Sequence, residues 1–171
     1  EKGPAIGGKM AQLDKTFPTN DCSMCILSPS FAEVQRNINV DILTHSELVG
    51  LEGGPGHFRA TLRRRPRYVD ETKCNNCGLC TQYCPVRMPD SFNQGLGQTS
   101  CIHLHFPQAV PAVMSVDPQH CLFLNEKICQ ICVPTCKSGA ISVRQREEEV
   151  DLDVGAVILA PGFDTFDARA K

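Results

Sequence analysis

The sequence has no tryptophan, only two tyrosines and no long apolar run. No stretch approaches the roughly 18 apolar residues that a membrane-spanning helix needs, so we expect no membrane span. The 17 Lys and Arg nearly balance the 19 Asp and Glu, which argues against nucleic acid or an anionic membrane surface as a partner. The first residues, Glu1 to Pro4, contain neither an apolar targeting core nor an initiating methionine, and we interpret the chain as a fragment or processed piece.

Cysteine is what the sequence has in excess. Eleven of the 171 residues are cysteines, and eight of these fall into two tight groups. A secreted disulfide scaffold is one interpretation, but such scaffolds are usually shorter and nothing here marks secretion. The four cysteines from Cys74 to Cys84 lie within eleven residues and would be poor disulfide partners for one another. We therefore expect metal-bound thiolates in a reducing cytoplasm.

The first group runs from Cys74 to Cys84 and continues into Pro85 with the spacing C-x2-C-x2-C-x3-C-P. This spacing is typical of bacterial ferredoxins. Three thiolates on a tight loop can bind three corners of one cubane, and Gly78 lets that loop turn. We expect the fourth cysteine to begin a following helix and to point toward a second cluster, with Pro85 in the first turn of that helix.

The second group runs from Cys121 to Cys136, and its last three cysteines repeat the x2 and x3 gaps. Its first gap is seven residues, and Lys137 replaces the usual proline. In two-cluster ferredoxins the fourth cysteine of a run binds the other cluster, so the sequence predicts two crossed [4Fe–4S] sites. The predicted ligands are Cys74, Cys77, Cys80 and Cys136 for the first cluster, and Cys121, Cys129, Cys132 and Cys84 for the second.

Structural zinc is the alternative, because C-x2-C pairs also form four-cysteine zinc sites. A four-cysteine zinc site requires neither a third x2-spaced cysteine nor an x3 cysteine followed by proline, so we favour iron–sulfur clusters. Cys101 with His103 and His105 would be a further metal site only if a second ligand pair had metal spacing, and we interpret these residues as isolated polar side chains of a loop. His120, beside Cys121, is a candidate hydrogen-bond donor to a cluster sulfur.

Strand-like patterns flank the cysteine block on both sides. We predict a strand over Asn39–Leu51, a returning strand over His57–Arg63 and renewed alternation over 141–150. The apolar run Gly155–Ala160 is typical of a buried parallel strand. Ser28-Pro29-Ser30 indicates the start of a helix. The simplest topology is an α+β arrangement in which a small module is inserted into a β-hairpin or β-meander.

The flanks resemble the iron–sulfur flavoprotein component of heterodisulfide reductase, a family known as its A-type subunits. The resemblance rests on Gly7 to Cys25, on the ferredoxin block with Phe106 to Pro111, and on Gly155 to Phe163, and it covers essentially the whole chain. It implies a ferredoxin module inserted in a thioredoxin-reductase-like, Rossmann-type FAD-binding domain. The implied divisions are a partial FAD-binding domain at 1–67, a two-[4Fe–4S] module at 68–140 and a return to the flavoprotein domain at 141–171.

The resemblance also implies a FAD site, with the Gly-rich pyrophosphate loop upstream of Glu1. Glu1 looks like the acid that holds the adenosine ribose, Gly7 and Gly8 like the turn beneath FAD, and Pro161 and Gly162 like the segment near the flavin.

Cys22 and Cys25 form a further C-x2-C. The resemblance implies either a redox dithiol facing the flavin or ligands to another cluster. Two buried free thiols are the alternative, since free cysteines are common in protein cores.

We expect the parent protein to be an oxidoreductase subunit that passes electrons between FAD and partner redox subunits in the cytoplasm, although this segment alone is not expected to be catalytic. The resemblance implies partners of the ferredoxin, hydrogenase or formate dehydrogenase type, and flavin-based electron bifurcation linked to thiol–disulfide chemistry. A stand-alone ferredoxin-like carrier is the alternative, but the flanking β segments are more than a bare ferredoxin needs. The basic run Arg63–Arg67 is interpreted as a charged strand edge in preference to a docking patch for an acidic partner.

Overall fold

The computed structural model describes residues 1–164 and Phe166 and is a mixed α/β structure. Its helices are α1 (Gly8–Gln12), α2 (Ser23–Arg36), α3 (Leu79–Tyr83), α4 (Leu122–Glu126) and α5 (Cys132–Thr135). Its strands are β1 (Lys15–Thr16), β2 (Asp21–Cys22), β3 (Ser46–Gly54), β4 (His57–Arg64), β5 (Arg87–Pro89), β6 (Gln98–Ser100), β7 (Ile102–His103), β8 (Ser115–Val116) and β9 (Glu148–Val154). Over the described ranges, no helix combines the length and apolar character that crossing a bilayer requires.

The largest sheet is antiparallel and has the order β3-β4-β9. Phe58, Ala60 and Leu62 alternate along β4 and therefore share one face. The apolar residues between Val150 and Val154 in β9 lie opposite them, so this face of the sheet is apolar. The predicted returning strand thus agrees with β4 within one residue.

The cysteine block is inserted between two strands that pair with each other. Arg64, the last residue of β4, is the register partner of Glu148, the first residue of β9. Residues 65–147 therefore leave and rejoin the sheet at one place, as the alternating flanks predicted. The strand expected over 141–150 starts only at Glu148, and an isolated bridge between Val69 and Ile141 closes the base of the block.

Two flanking predictions differ from the structure. The strand expected from Asn39 begins only at Ser46, so the residues of high β-propensity before it have no regular secondary structure. The run Gly155–Ala160, expected to be a buried strand, is irregular, with Ile158 92% exposed. A strand forms only where another strand accepts its backbone hydrogen bonds, and within residues 1–164 none pairs with this run.

Helix α2 starts five residues before the predicted Ser28. Its N-cap is Cys22, whose sulfur accepts a hydrogen bond from the Cys25 amide at 3.2 Å. Pro29 lies inside the helix and does not begin it. The predicted start is wrong because cysteine is not among the usual N-cap residues, whereas Ser-Pro is a common start signal.

Arg67 connects the N-terminal segment to the cysteine block. Its guanidinium is 4% exposed and donates to Pro4 O and Thr44 Oγ1, both at 2.6 Å, and to Val113 O at 3.1 Å. Its Nε also donates to Glu71 Oε1 at 3.1 Å. The Arg63–Arg67 run is therefore not a uniformly solvated strand edge, because β4 is the central strand and this arginine is buried.

Candidate metal centre and the adjoining cavity

Four cysteine side chains from both groups line one cavity. Cys74, Cys77, Cys80 and Cys136 surround it, together with Met114. Cys80 belongs to α3 and Cys136 follows α5, and the packing of these two helices brings the groups together. A cubane binds each thiolate at a separate iron, so four thiols around one cavity fit the donor set of a [4Fe–4S] cluster.

The loop before α3 positions the first three thiols. The Cys74 amide donates to Asp70 O at 3.0 Å, and the Asp70 carboxylate accepts from the Thr72 amide at 2.9 Å. A hydrogen bond from Lys73, 2.9 Å away, is the main cause that lowers the pKa of Asp70 to about 2. Gly78 then adopts φ 76°, a left-handed conformation that favours glycine, and caps α3. The predicted helix beginning at Cys84 is wrong, because α3 ends at Tyr83, Cys84 is extended and the next element is β5.

The Cys136 sulfur has hydrogen-bonding neighbours of its own. The Ala140 amide donates to Cys136 Sγ at 3.3 Å, and Ser138 Oγ lies 3.4 Å from the same sulfur. Donors of this kind stabilise a thiolate and tune the potential of a cluster bound to it. This arrangement suits Cys136 to act as a charged ligand.

The remaining predicted ligands also lie near one another. Burial is the main cause that raises the pKa of Cys132 to about 11, and the neighbouring sulfurs of Cys121 and Cys129 add to it. Cys80 and Cys84, both from the first group, are further electrostatic neighbours of Cys132. Cys84, Cys121 and Cys132 also pack against the same hydrophobic core cluster.

Cys101 lies beside these thiols, although nothing in the cysteine spacing indicates it. Its side chain is 2% exposed, and its Sγ lies within hydrogen-bonding distance of Asp117 O at 3.3 Å. A hydrogen bond between Cys101 and Cys84 is the main cause that lowers the pKa of Cys84 to about 5 and raises the pKa of Cys101. The prediction of an isolated loop residue therefore misses its contact with a predicted ligand.

The histidines near Cys101 make other contacts in the structure. His105 packs against Phe92, with ring centroids 5.3 Å apart, and burial lowers its pKa. The Nδ1 atom of His103 is buried, and no hydrogen-bond partner for it occurs among the residues described. Among all the residues that the structure describes, the proposed cluster cysteines included, no three His, Cys, Asp or Glu side chains are close enough to share a single metal ion. A cubane differs from such a site, because it binds each thiolate at a separate iron. His120 Nδ1 lies 3.1 Å from an Asp117 carboxylate oxygen, so this ring nitrogen is engaged away from the sulfurs.

The residues assigned to FAD also converge. A cavity of about 520 Å³, a volume within the range of small-molecule sites, separates the N-terminal segment from the returning chain. His105 and Phe106 of the cysteine block form part of its wall. The five predicted FAD residues all line it, and they are Glu1, Gly7, Gly8, Pro161 and Gly162.

Local geometry explains two of these residues. Gly7 has φ 115°, and a Cβ atom there would lie 2.7 Å from Phe31 Cζ and 3.0 Å from Ala11 Cβ, so only glycine fits. Glu1 Oε1 accepts a hydrogen bond from the Gly3 amide at 2.7 Å, which fixes the carboxylate at the cavity wall. Both residues therefore give this side of the cavity a defined shape.

Cys22 and Cys25 form a disulfide at the start of α2, with Cα atoms 5.2 Å apart. Both residues are exposed. The interpretation as two buried free thiols is therefore wrong in this structure.

Comparisons with known proteins agree with the cysteine pattern. Residues 67–90 match the family described as a 4Fe-4S binding domain, which confirms the prediction of a ferredoxin-type [4Fe–4S] domain. The chain is 45% identical to the A-type iron-sulfur subunit of the CoB–CoM heterodisulfide reductase of Methanocaldococcus jannaschii. It is 46% identical to a corresponding A-type subunit of Methanopyrus kandleri, and 41% identical to that of the H2:CoB–CoM heterodisulfide,ferredoxin reductase of Methanothermobacter marburgensis. Each alignment covers all of this chain and 25% of the relative, so the chain spans about a quarter of the length of these relatives.

Proposed function

This chain belongs to the family of A-type heterodisulfide reductase subunits, and from that premise we propose that it conducts electrons through two [4Fe–4S] clusters next to a FAD site. The observation that carries the proposal is the cavity lined by four thiols, three from the first cysteine group and Cys136 from the second. The clusters supply the one-electron chemistry when bound. The polypeptide positions them and sets their potentials.

The proposed ligands are crossed between the two groups. Cys136 joins the first three cysteines of the first group, and Cys84 joins Cys121, Cys129 and Cys132. Crossed ligation brings two cubanes into one small module, which suits stepwise electron transfer through it. The proposed boundaries of this module are 68–140, between flavoprotein segments at 1–67 and 141–171.

The FAD proposal is supported by the shared cavity. Its residues come from both ends of the chain, and the wall formed by His105 and Phe106 belongs to the cysteine block. A flavin held there would lie against the module, where electrons can pass between flavin and cluster. Glu1 would hold the ribose, and the Gly7 turn would lie beneath the cofactor.

The exposed Cys22–Cys25 disulfide supports a redox role for this pair. Opening the disulfide takes two electrons and two protons and gives two thiols, and a reduced flavin can supply both. We assign the pair to thiol–disulfide exchange within a parent oxidoreductase. Electron bifurcation in that parent would couple this exchange to a ferredoxin, with redox subunits of the ferredoxin, hydrogenase or formate dehydrogenase type as partners. The location proposed is the cytoplasm, because cluster ligands must be reduced thiolates.

The decisive experiment is metal analysis of anaerobically purified protein combined with two ligand variants. We expect about eight irons per chain and a broad brown absorbance in the unaltered protein. Cys136→Ser should perturb the cluster that also holds Cys77, whereas Cys84→Ser should perturb the cluster that also holds Cys129. Each assignment is tested by whether the double variant, Cys136→Ser with Cys77→Ser or Cys84→Ser with Cys129→Ser, still contains about four irons.

Loss of both clusters in these double variants would contradict the crossed assignment. Zinc in place of iron in the unaltered protein would contradict the presence of [4Fe–4S] clusters. As a matched control, Cys136→Ser combined with Cys129→Ser should disturb both clusters, because these two cysteines are assigned to different ones. Flavin absorbance of the full-length protein separates the proposed flavoprotein from a stand-alone ferredoxin-like carrier.

A further inference from the structure

The cysteine block reaches the wall of the FAD cavity through His105 and Phe106. A hydrogen bond from Ile6 N to Val110 O, at 2.9 Å, fastens the N-terminal segment to this part of the block. Phe106 is 4% exposed and belongs to a buried cluster with Ala5, whereas His105 is only partly buried. His105 is therefore the side chain of this wall that is better placed to contact a molecule in the cavity.

Gly3 shows at which end of the cavity His105 lies. A second cavity, of about 390 Å³, adjoins the FAD cavity, and Gly3 and His105 line both of them. The Gly3 amide donates to Glu1 Oε1 at 2.7 Å, and Glu1 is the residue that we assign to the adenosine ribose. His105 therefore lies on the Glu1 side of the FAD cavity.

Aromatic packing holds the imidazole of His105 in place. Its ring centroid lies 5.3 Å from that of Phe92 and 5.7 Å from that of Phe106, and both contacts are edge to face. The two phenylalanine rings stack on each other, with centroids 4.7 Å apart. Over the described ranges, neither ring nitrogen of His105 hydrogen-bonds to a protein group. The ring is thus fixed while its nitrogens remain available to a ligand.

The charge state of His105 suits a nucleoside. Burial lowers the pKa of His105, and the charge of His103 adds to this effect, while Asp90 and Glu1 oppose it. The imidazole is therefore neutral near pH 7, with one nitrogen that donates and one that accepts a hydrogen bond. Adenosine offers partners of both kinds in its ribose hydroxyls and adenine nitrogens.

We propose that His105 is a cofactor-binding residue, whose ring nitrogens hydrogen-bond to the adenosine half of FAD beside Glu1. The inference rests on the proposed function, because it assumes that FAD occupies this cavity. It gives the cysteine block a second task, since the block then supplies part of the adenosine site as well as the cluster ligands. The inserted module and the flavoprotein segments would share one cofactor site.

The test is isothermal titration calorimetry of the full-length protein after removal of its flavin, with FAD and ADP as probes. ADP carries the adenosine half of the cofactor without the isoalloxazine ring. His105→Phe keeps an aromatic ring between Phe92 and Phe106 but has no ring nitrogen, and it should weaken the binding of both probes about tenfold, as the loss of a buried hydrogen bond implies. His105→Gln retains a donor and an acceptor and should bind both probes within about twofold of the unaltered protein.

His103→Phe is the matched control, because His103 lines the second cavity and not the FAD cavity. It should leave both affinities unchanged. Unchanged affinities in His105→Phe would overturn the inference, as would equal losses in the phenylalanine and glutamine variants, which would indicate a packing role for the ring. Weaker binding of FAD with unchanged binding of ADP would also overturn it, because the contact would then lie outside the adenosine half. Failure of the unaltered protein to bind FAD would instead refute the FAD site of the proposed function.

Discussion

Replacing Arg67 by alanine would remove the side chain that ties the N-terminal segment to the cysteine block. The guanidinium is 4% exposed and hydrogen-bonds to Pro4, Thr44, Val113 and Glu71. The acceptors left behind cannot all be hydrated, since two of these bonds are buried. We therefore expect Arg67→Ala to be among the most destabilising single substitutions in the chain.

The magnitude follows from these contacts. Each buried acceptor left unpaired costs roughly 1–3 kcal/mol, and two such acceptors, Thr44 Oγ1 and Val113 O, remain in the variant. Glu71 adds little, because its side chain is partly exposed and keeps its ion pair with Arg64. We therefore expect a loss of about 4 kcal/mol in the free energy of unfolding. With a urea dependence of about 2 kcal/mol per M, the unfolding midpoint should fall by about 2 M.

The assay is urea unfolding followed by far-ultraviolet circular dichroism under anaerobic conditions. Arg65→Ala is the matched control, because Arg65 is exposed and its Nη2 donates to Lys2 O at 2.6 Å on the surface of the protein. Its midpoint should fall by less than about 0.5 M, as a loss of under roughly 1 kcal/mol implies. Equal midpoints for the two variants would refute the assignment of Arg67 as a buried connector.

Three further predictions concern His45, the FAD cavity and the disulfide. Burial, followed by the charge of Arg67, lowers the pKa of His45 to about 4, so the unfolded chain binds a proton near pH 6.5 that the folded chain does not. The free energy of unfolding should therefore fall as pH decreases from about 6.5 to about 4, by at most about 3 kcal/mol. Urea unfolding measured across this pH range should show a weaker pH dependence of that free energy in His45→Gln than in the unaltered protein. Gly7→Ala places a Cβ atom 2.7 Å from Phe31 Cζ and should lower the flavin content of the full-length protein. Gly54→Ala is the control, because a Cβ atom there meets no atom within 4 Å, and it should leave the flavin content unchanged. Equal flavin content in the two variants would contradict the FAD assignment. Alkylation should label two more thiols after reduction than before it, and equal labelling would argue against the Cys22–Cys25 disulfide.

The cysteine spacing picked out the thiols that line the cavity, because the gaps within each cysteine group are a local property of the sequence. Few arrangements other than a cubane site fit this pattern. It combines a tight loop with gaps of two residues, Gly78 within that loop and a cysteine at the x3 position. Strand β4 was predicted for a similar reason, since its period-two alternation is a property of consecutive residues. Both predictions depended on short-range pattern alone.

Features set by distant contacts were not predictable. Arg67 looked like one member of a basic run, and only the approach of Pro4 and Val113 buries it. Cys101 had no spacing that marked it, because its neighbour Cys84 lies 17 positions earlier and meets it only in the folded block. The apolar character of Gly155–Ala160 suggested a strand, but pairing depends on a partner strand that the pattern does not reveal.

The register between β4 and β9 brings the two ends of the cysteine block together. Arg64 and Glu148 face each other across the ladder, so their Cα atoms are separated by roughly 5 Å, the distance that a two-residue hairpin turn spans. The three-stranded sheet can therefore be closed by a short turn or by a large cofactor-bearing insert without any change in its pairing. The same register makes this position a natural site at which protein engineers can alter the length of the insert while keeping the sheet.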